Sequence, residues 1–442
     1  MIPAITIIGL GPGPARFRTI AAQEALANAK HIFVRGHEDV GMGDLLGAEN
    51  VTDLQQFHDP NATNRWHQSA AVVIASAQVD PVVLAIPGHP RFGEGLVETV
   101  LKSATEIGLT TQVIDGISAT DLLASALGID PIRDRVQMAS GWQIAATNRK
   151  SPFEGGLLNF SPRLPVLITH VYNNELMQAA SNQLARVFPP DHVVELISAA
   201  GLENEQRESS TIAELADHSG GPLLAIYVPA QSDLEATASA ATLQHVMAAL
   251  RDDDGCPWDR KQTNATLAKS LADEVYEVID AIDSGDDENL AEELGDLLML
   301  IMMHTQIAEE RGAFRLEDVY SGIVTKIVRR HPHVFGDDAA TNADEVVGLW
   351  QRVKAQEKAE KPNRPEKAAD GQPHSMPALE RATRVLKKHP IEVADSEPGG
   401  RRQALLDAVA AIIAADEDPN DVLKQALEQH VTGSVSAGNS GE

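Results

Sequence analysis

The sequence predicts a multidomain chain in which an α/β half is followed by an all-α half. Short apolar runs alternate with helical stretches from Ile5 to about Val228. From about residue 241 the pattern becomes one of amphipathic helices, and two acidic pairs then recur at helical spacing, Glu274 with Glu277 and Glu293 with Asp296. At 442 residues the chain has room for two or three domains with proper cores.

Within the α/β half, Ile5–Ile8, His31–Val34, Val82–Ile86, Thr111–Ile114, Val166–Thr169, Val193–Ile197 and Leu223–Val228 are expected to be strands. Thr19–Asn28 and Gly95–Ile107 are expected to be helices. The first strand runs into Gly9-Leu-Gly-Pro-Gly13, where glycine lets the backbone approach a ligand at the strand's C-terminal end. A dinucleotide fingerprint is ruled out because Pro14 stands where its third glycine belongs, and a tight turn is the plainer alternative. Residues 229–240 are small and polar and are expected to be a linker.

The helical half carries the clearest chemical signal. Ser284-Gly285-Asp286-Asp287 stops one helix and starts another. Glu274 and Asp296 are equidistant from Gly285, and so are Glu277 and Glu293. In an antiparallel hairpin with equal rise on both arms the two pairs therefore arrive level. Four facing acids repel unless a multivalent cation joins them, and an all-oxygen ligand set favours Mg²⁺ or Mn²⁺ over zinc or iron. The alternative is two solvated acidic faces whose symmetry is accidental.

Composition agrees with a cation site. The chain has 36 Lys and Arg against 64 Asp and Glu, a formal charge of -28, which argues against general affinity for nucleic acid or anionic membranes. Residues 251–310 hold 17 acids against 4 Lys or Arg. The single Cys256 rules out an internal disulfide and reads as a small packed residue. The first apolar stretch has no basic segment before it, and the longest apolar run, Leu297 to Met303, stops at His304, so a cytoplasmic protein without membrane spans is expected.

Beyond the charged, Pro-rich stretch 358–373, helical pattern resumes at Met376–Leu386 and Arg402–Ile413. Gln403-Ala-Leu-Leu-Asp407 has the apolar register of Glu292-Glu-Leu-Gly-Asp296 but keeps only its last acid, with Ala404 opposite Glu293. This predicts a degenerate repeat without a metal site, the alternative being an unrelated helix pair. Residues 433–442, with their Gly and Ser, are expected to be a disordered tail.

Several motifs together resemble the MazG family of nucleoside triphosphate pyrophosphohydrolases. They are Arg251-Asp-Asp-Asp-Gly-Cys-Pro-Trp258, the acidic hairpin, and Arg329-Arg-His-Pro-His-Val-Phe335. The family's EExxE, then ExxD, is intact except that its first position is Asp273. The resemblance runs from about Leu250 to about Lys361. It implies that Glu274, Glu277, Glu293 and Asp296 hold the metal, and that Glu274, Glu277 or Asp273 takes a proton from the attacking water. Lys326 and Arg330 on a third helix, with Trp350 and Lys354 on the next, would bind the triphosphate. Surface ion pairs for Arg330 and Lys354, and a core contact for Trp350, are the alternatives. Trp258 reads as a packing residue, and His331 and His333 as helix-end residues. The family also implies a homodimer through the helical domain, unless the worn repeat replaces the partner.

In the first half, Ala85-Ile-Pro-Gly-His-Pro90, Ile114-Asp-Gly-Ile-Ser-Ala-Thr120 and Leu164-Pro-Val-Leu-Ile-Thr-His-Val-Tyr172 resemble loops of the tetrapyrrole methylase family. That family has two α/β subdomains with S-adenosylmethionine in the cleft between them. The resemblance implies cofactor contacts from Gly9, Gly11, Pro12, Gly13, Gly88, Pro90, Ser118 and Ala119. Two positions depart from it: the usual GDP is Gly88-His89-Pro90, and the usual LT is Arg18-Thr19.

The combination resembles YabN-type fusions. The expected layout is a methylase-like domain at 1–228, a linker at 229–240, a MazG-like domain at 241–361, a linker at 362–375, the degenerate repeat at 376–432 and the tail at 433–442. Hydrolysis of nucleoside triphosphates to monophosphate and pyrophosphate is the leading expectation. A methyltransferase regulated by the helical half and a non-catalytic nucleotide sensor are the alternatives.

Overall fold

A parallel sheet is built first in the chain, from strands apolar on both faces. The computed structural model describes residues 2–35, 42–57, 66–146, 160–360, 377, 379, 383, 400–419, 421 and 422. It divides into two compact units, Met1–Leu316 and Glu317–Glu442.

In the first sheet the chain runs β1 (Ile5–Gly9), α1 (Ile20–Ala27), β2 (Ile32–Val34), β3 (Val51–Asp53), α2 (His67–Ala77), β4 (Val82–Ile86), α3 (Gly95–Glu106) and β5 (Thr111–Ile114). The spatial order is β3-β2-β4-β1-β5, and all pairs are parallel. Ile5 and Ile7 of β1 and Leu84 and Ile86 of β4 pack with Val73, Leu96 and Val100 of α2 and α3. Ile8, Val83 and Ala85 pack on the other side with Ala22 of α1. Helices on both faces explain why β1 and β4 are continuous apolar runs rather than alternating ones. After β1 the chain crosses β4 to reach β2, and after β4 it crosses β1 to reach β5. The neighbouring C-terminal ends of β1 and β4 are therefore the switch point of the sheet, where a ligand crevice opens.

A second sheet follows. Its elements are α4 (Ala119–Leu127), β6 (Gln137–Ser140), α5 (Gly141–Ala146), β7 (Val166–Thr169), α6 (Asn174–Leu184), β8 (Val193–Ser198), β9 (Gln206–Thr211) and β10 (Leu224–Val228). The order is β6-β7-β10-β8-β9, parallel only between β6 and β7. All seven expected strands are present within a residue at either end, and two sheets make the two expected subdomains. β3, β6 and β9 were not anticipated, and each is a sheet edge.

The 229–240 segment has no regular structure until Ser239 caps α7 (Ala240–Arg251). It is nonetheless held against the second subdomain. The Gln231 N–H donates to the Pro162 carbonyl at 2.8 Å, Arg163 Nε pairs with Asp233 Oδ1 at 2.6 Å, and Ala236 is fully buried. Small polar residues suit a pinned turn as well as a tether.

Helices α8 (Ala268–Ser284) and α9 (Asp287–Glu310) then form the hairpin. Gly285 ends α8 in the left-handed region, at φ 69°, and the Asp286 side chain accepts from the N–H groups of Glu288 and Asn289 to start α9. Met247 of α7, Leu300, Met303 and Ile307 of α9, and Leu267 and Leu316 form the core beneath. Then come α10 (Leu316–Arg330), α11 (Pro332–Phe335), α12 (Ala343–Glu360) and α13 (Gly400–Ala414). On α13, Val409 and Ala410 pack with Leu379 and Ile413. The expected linker at 362–375, the tail at 433–442 and most of Met376–Leu386 lie outside the described residues. No described helix is long and apolar enough to cross a membrane.

Two glycine substitutions should separate backbone strain from crowding. A Cβ on Gly285 meets nothing within 4 Å, so Gly285→Ala should lose only the left-handed penalty of about 1 kcal/mol. A Cβ on Gly116 would sit 2.5 Å from the Gly88 carbonyl oxygen and 2.8 Å from Gly9 backbone. Gly116→Ala should therefore lower the urea midpoint further, by overpacking of about 1–3 kcal/mol. Equal midpoints for the two variants would contradict this account.

Candidate metal centre and ligand cleft

On α8, Glu274 and Glu277 lie one turn apart on one face, and the hairpin sets Glu293 of α9 level with them. A carboxylate oxygen from each of these three lies within 4.8 Å of the others. Trans ligands on a Mg²⁺ ion are about 4.2 Å apart, given bonds of roughly 2.1 Å, so small side-chain shifts would close the three on one cation. Asp296 and Asp273 are not in that close group, but both act on Glu274 as nearby negative charges.

Burial, then the charges of Glu277, Asp296 and Asp273, push the Glu274 carboxyl above its ordinary value. Glu293 is pushed up as well, by burial and then by Glu277. The Glu274 Oε2 atom is closed to solvent and has no hydrogen-bond partner. A carboxylate crowded by like charge, with an orphaned buried oxygen, fits a divalent cation. Asp407 of α13 instead accepts from the Gln403 side chain at 2.8 Å.

The four expected substrate residues belong to the second unit. Arg330 forks onto Glu357, with Nη2 at 2.6 Å, and Lys326 adds its charge to the same carboxylate. The Trp350 ring stands edge-on to His331 at 5.3 Å, and its Nε1 is buried without a partner. Lys354 is exposed. His331 Nδ1 donates to the Ile327 carbonyl at 2.7 Å, which is the expected helix-end role. Trp258 departs from expectation: it is 63% exposed rather than packed, because only a short helical turn of polar residues follows it.

The switch point of the first sheet opens into a cleft of about 1360 Å³ shared by the two subdomains. Pro12, Gly88, Pro90, Ser118 and Ala119 line it, as expected. Gly9, Gly11 and Gly13 act behind the wall. A Cβ on Gly9 would lie 2.6 Å from both Gly88 and Gly116 backbone, Gly11 bridges to Gly88, and Gly13 abuts Leu202. Ser118 caps α4, its hydroxyl accepting from the Thr120 N–H while Asp121 accepts from the Ser118 N–H.

The two departures from the methylase pattern have local partners. Arg18 makes two 2.6 Å bonds to Asp44, and His89 Nε2 lies 3.5 Å from Asp115 while its Nδ1 accepts the Arg91 N–H.

One group on the cleft wall went unanticipated. Arg35 Nη2 is 2.6 Å from Glu94 Oε1, and the Arg35 guanidinium lies over the Trp66 ring at 5.5 Å. Burial raises the Glu94 carboxyl to about 7 against the opposing pull of Arg35. Glycines on either side of Glu94 admit close neighbours: a Cβ on Gly93 would lie 3.0 Å from His170, and one on Gly95 2.8 Å from Trp66. His170 is itself in the left-handed region, at φ 59°, and contacts the Tyr172 ring edge-on. The one sequence signal was Gly93-Glu94-Gly95, a charged residue between glycines at a helix start.

The tetrapyrrole (corrin/porphyrin) methylase family model matches residues 4–216, and the MazG nucleotide pyrophosphohydrolase domain model matches residues 262–335. Trp350 and Lys354 fall beyond the second match. The chain is 30% identical to the protein YabN of Bacillus subtilis (strain 168) over 393 residues, 88% of this chain and 77% of that one. It is 44% identical to the nucleoside triphosphate pyrophosphohydrolase of Escherichia coli (strain K12) over 144 residues, 32% of this chain and 54% of that protein. The chain thus spans about half the length of that relative. A crystal structure of diphthine synthase aligns with a TM-score of 0.39 at 18% identity, covering 51% of this chain and 89% of that one.

The crowding at Glu274 has a measurable sign. A group whose carboxyl is raised on folding stabilises most below its unfolded value, about 4.3, and that contribution is lost as pH rises through the raised value. Without divalent cation, Glu274→Gln should therefore melt above the parent near neutral pH, and the gap should close toward pH ~4. Added Mg²⁺ should raise the parent more than the variant. A melting difference independent of both pH and Mg²⁺ would rule out the crowded cluster.

Proposed function

The chain belongs to the YabN family, in which a tetrapyrrole methylase-like domain is fused to a MazG domain, and we propose that it is a Mg²⁺- or Mn²⁺-dependent nucleoside triphosphate pyrophosphohydrolase. The convergence of Glu274, Glu277 and Glu293 across the hairpin carries this reading. Water adds to the α-phosphorus, the α–β bridging P–O bond breaks, and nucleoside monophosphate and pyrophosphate result. A divalent cation bound by the three glutamates and Asp296 would neutralise the triphosphate and lower the pKa of the attacking water. Glu274, Glu277 or Asp273 takes the water's proton. Lys326, Arg330 and Lys354 bind phosphate oxygens, Arg330 exchanging Glu357 for substrate. Trp350, edge-on to His331, would contribute to triphosphate binding.

The domain at 241–361 would carry this activity, in the cytoplasm. Exposed Val275, Ile279 and Ile282 on α8, and Leu294, Leu298 and Ile301 on α9, repeat at helical spacing and support a homodimer through the helical domain. The cleft of the first domain would keep S-adenosylmethionine, in support of which Pro12, Gly88, Pro90, Ser118 and Ala119 share one wall.

With full-length protein, Glu277→Gln or Glu293→Gln should cut release of monophosphate and pyrophosphate by more than about a hundredfold, beyond what loss of a merely supporting residue does. Asp407→Asn should leave the rate unchanged. Full turnover by Glu277→Gln together with loss in Asp407→Asn would assign the site to the other repeat. Light scattering should give a dimer, reduced to monomer by Ile279→Asp; a parent monomer would refute that interface.

A further inference from the structure

We propose that the arm of the N-terminal cleft formed by Arg35, Trp66, Glu94, Trp142, His170 and Tyr172 is a second ligand site, for an uncharged planar heterocycle rather than a tetrapyrrole polycarboxylate. The proposal rests on the cofactor reading of the cleft's glycine-loop wall only in placing a second ligand beside it.

Size is the first argument. A site for one small ligand occupies roughly 300–1,000 Å³, and this cleft has about 1360 Å³. The cofactor-loop residues and the Arg35–Glu94–Trp66 group both line this one cleft, whose volume leaves room for a second ligand.

Charge is the second. Among the described residues, the lining Lys and Arg are Arg35 and Arg91, and the lining acids are Glu94 and Glu98. Arg35 is already engaged by Glu94 and stacked on Trp66. A ligand bearing several carboxylates would meet as many acids as bases, and the one part-buried cation would be neutralised before it arrived. Of the other groups in this arm, burial lowers the His170 imidazole, and burial holds the Tyr172 phenol protonated, raised to about 12.

Shape is the third. Trp142 and Tyr172 are each 41% exposed, in a chain where only 4% of residues are aromatic. Half-open indole and phenol rings lining one cleft are stacking surfaces for a flat ligand. Beside them the Glu94 carboxyl and the Tyr172 hydroxyl offer an acceptor and a donor, as paired recognition of a heterocycle's edge requires. The left-handed His170, held against Gly93, is the kind of strained residue that collects at ligand sites.

The test is calorimetry on the full chain saturated with S-adenosylhomocysteine, without divalent cation, using adenine, guanine, uracil and lumichrome, with uroporphyrin as the polycarboxylate probe. At least one heterocycle should bind beside S-adenosylhomocysteine and uroporphyrin should not. Trp142→Ala should weaken the heterocycle by about tenfold or more, while changing S-adenosylhomocysteine affinity less than twofold. Triphosphate hydrolysis by the variant serves as the control for folding. If S-adenosylhomocysteine itself fails to bind, the heterocycle titration is run without it; loss on Trp142→Ala then supports the site while the cofactor reading alone fails. Displacement of S-adenosylhomocysteine by the heterocycle, preference for uroporphyrin, binding indifferent to Trp142→Ala, or no binding by any heterocycle at millimolar concentration would each overturn the proposal.

Discussion

Repulsion between like charges is the constraint on which the helical half depends. Glu274, Glu277 and Glu293 bring a carboxylate oxygen each within 4.8 Å of the others across α8 and α9, so without a cation this face of the hairpin opposes folding. Its stability comes from farther along α9, where Leu300, Met303 and Ile307 are buried together with Met247, and from the turn at Gly285–Asp286. The core and the caps hold the acids in place, and under the proposed function a bound cation would convert their mutual repulsion into binding energy. The same logic explains the charge bias of residues 251–310, where cations near the site would compete with the metal.

The first half solves a different problem, bringing loops from several strands to one place. The order β3-β2-β4-β1-β5 makes β1 and β4 neighbours whose connections leave in opposite directions. Their loops therefore splay around a common opening, and the second subdomain adds His170 and Tyr172 from the loop after β7. Burial of both faces of the sheet stabilises the framework, while the crevice holds the polar groups that a core would not tolerate.

Much of this was legible in the sequence, for physical reasons. Strands buried on both faces announce themselves as apolar runs, and six of the seven anticipated strands are central in their sheets; the seventh, β5, is a half-exposed edge whose Val113 and Ile114 still marked it. β3, β6 and β9 could not, because an edge strand such as Gln206–Thr211 has one hydrogen-bonding side open and little apolar surface to bury. The acid hairpin was readable because helix spacing and a single left-handed glycine determine which residues meet. The Arg35–Glu94–His170 group was not, since its members come from three separate loops and only tertiary structure brings them together. Trp258 was misjudged because nothing local in a sequence says whether an aromatic ring finds a pocket.

Gly9 and Gly116 approach each other and the Gly88 carbonyl so closely that backbone fills the space where a side chain of either would stand. Gly9 and Gly116 are thus one steric unit, though more than a hundred residues separate them in the chain. A change at either alters what is tolerated at the other, so the effects of paired substitutions there cannot be summed from the single ones. The loops of this crevice can diversify at their tips, where the ligand is met, but their roots must vary together or stay as they are.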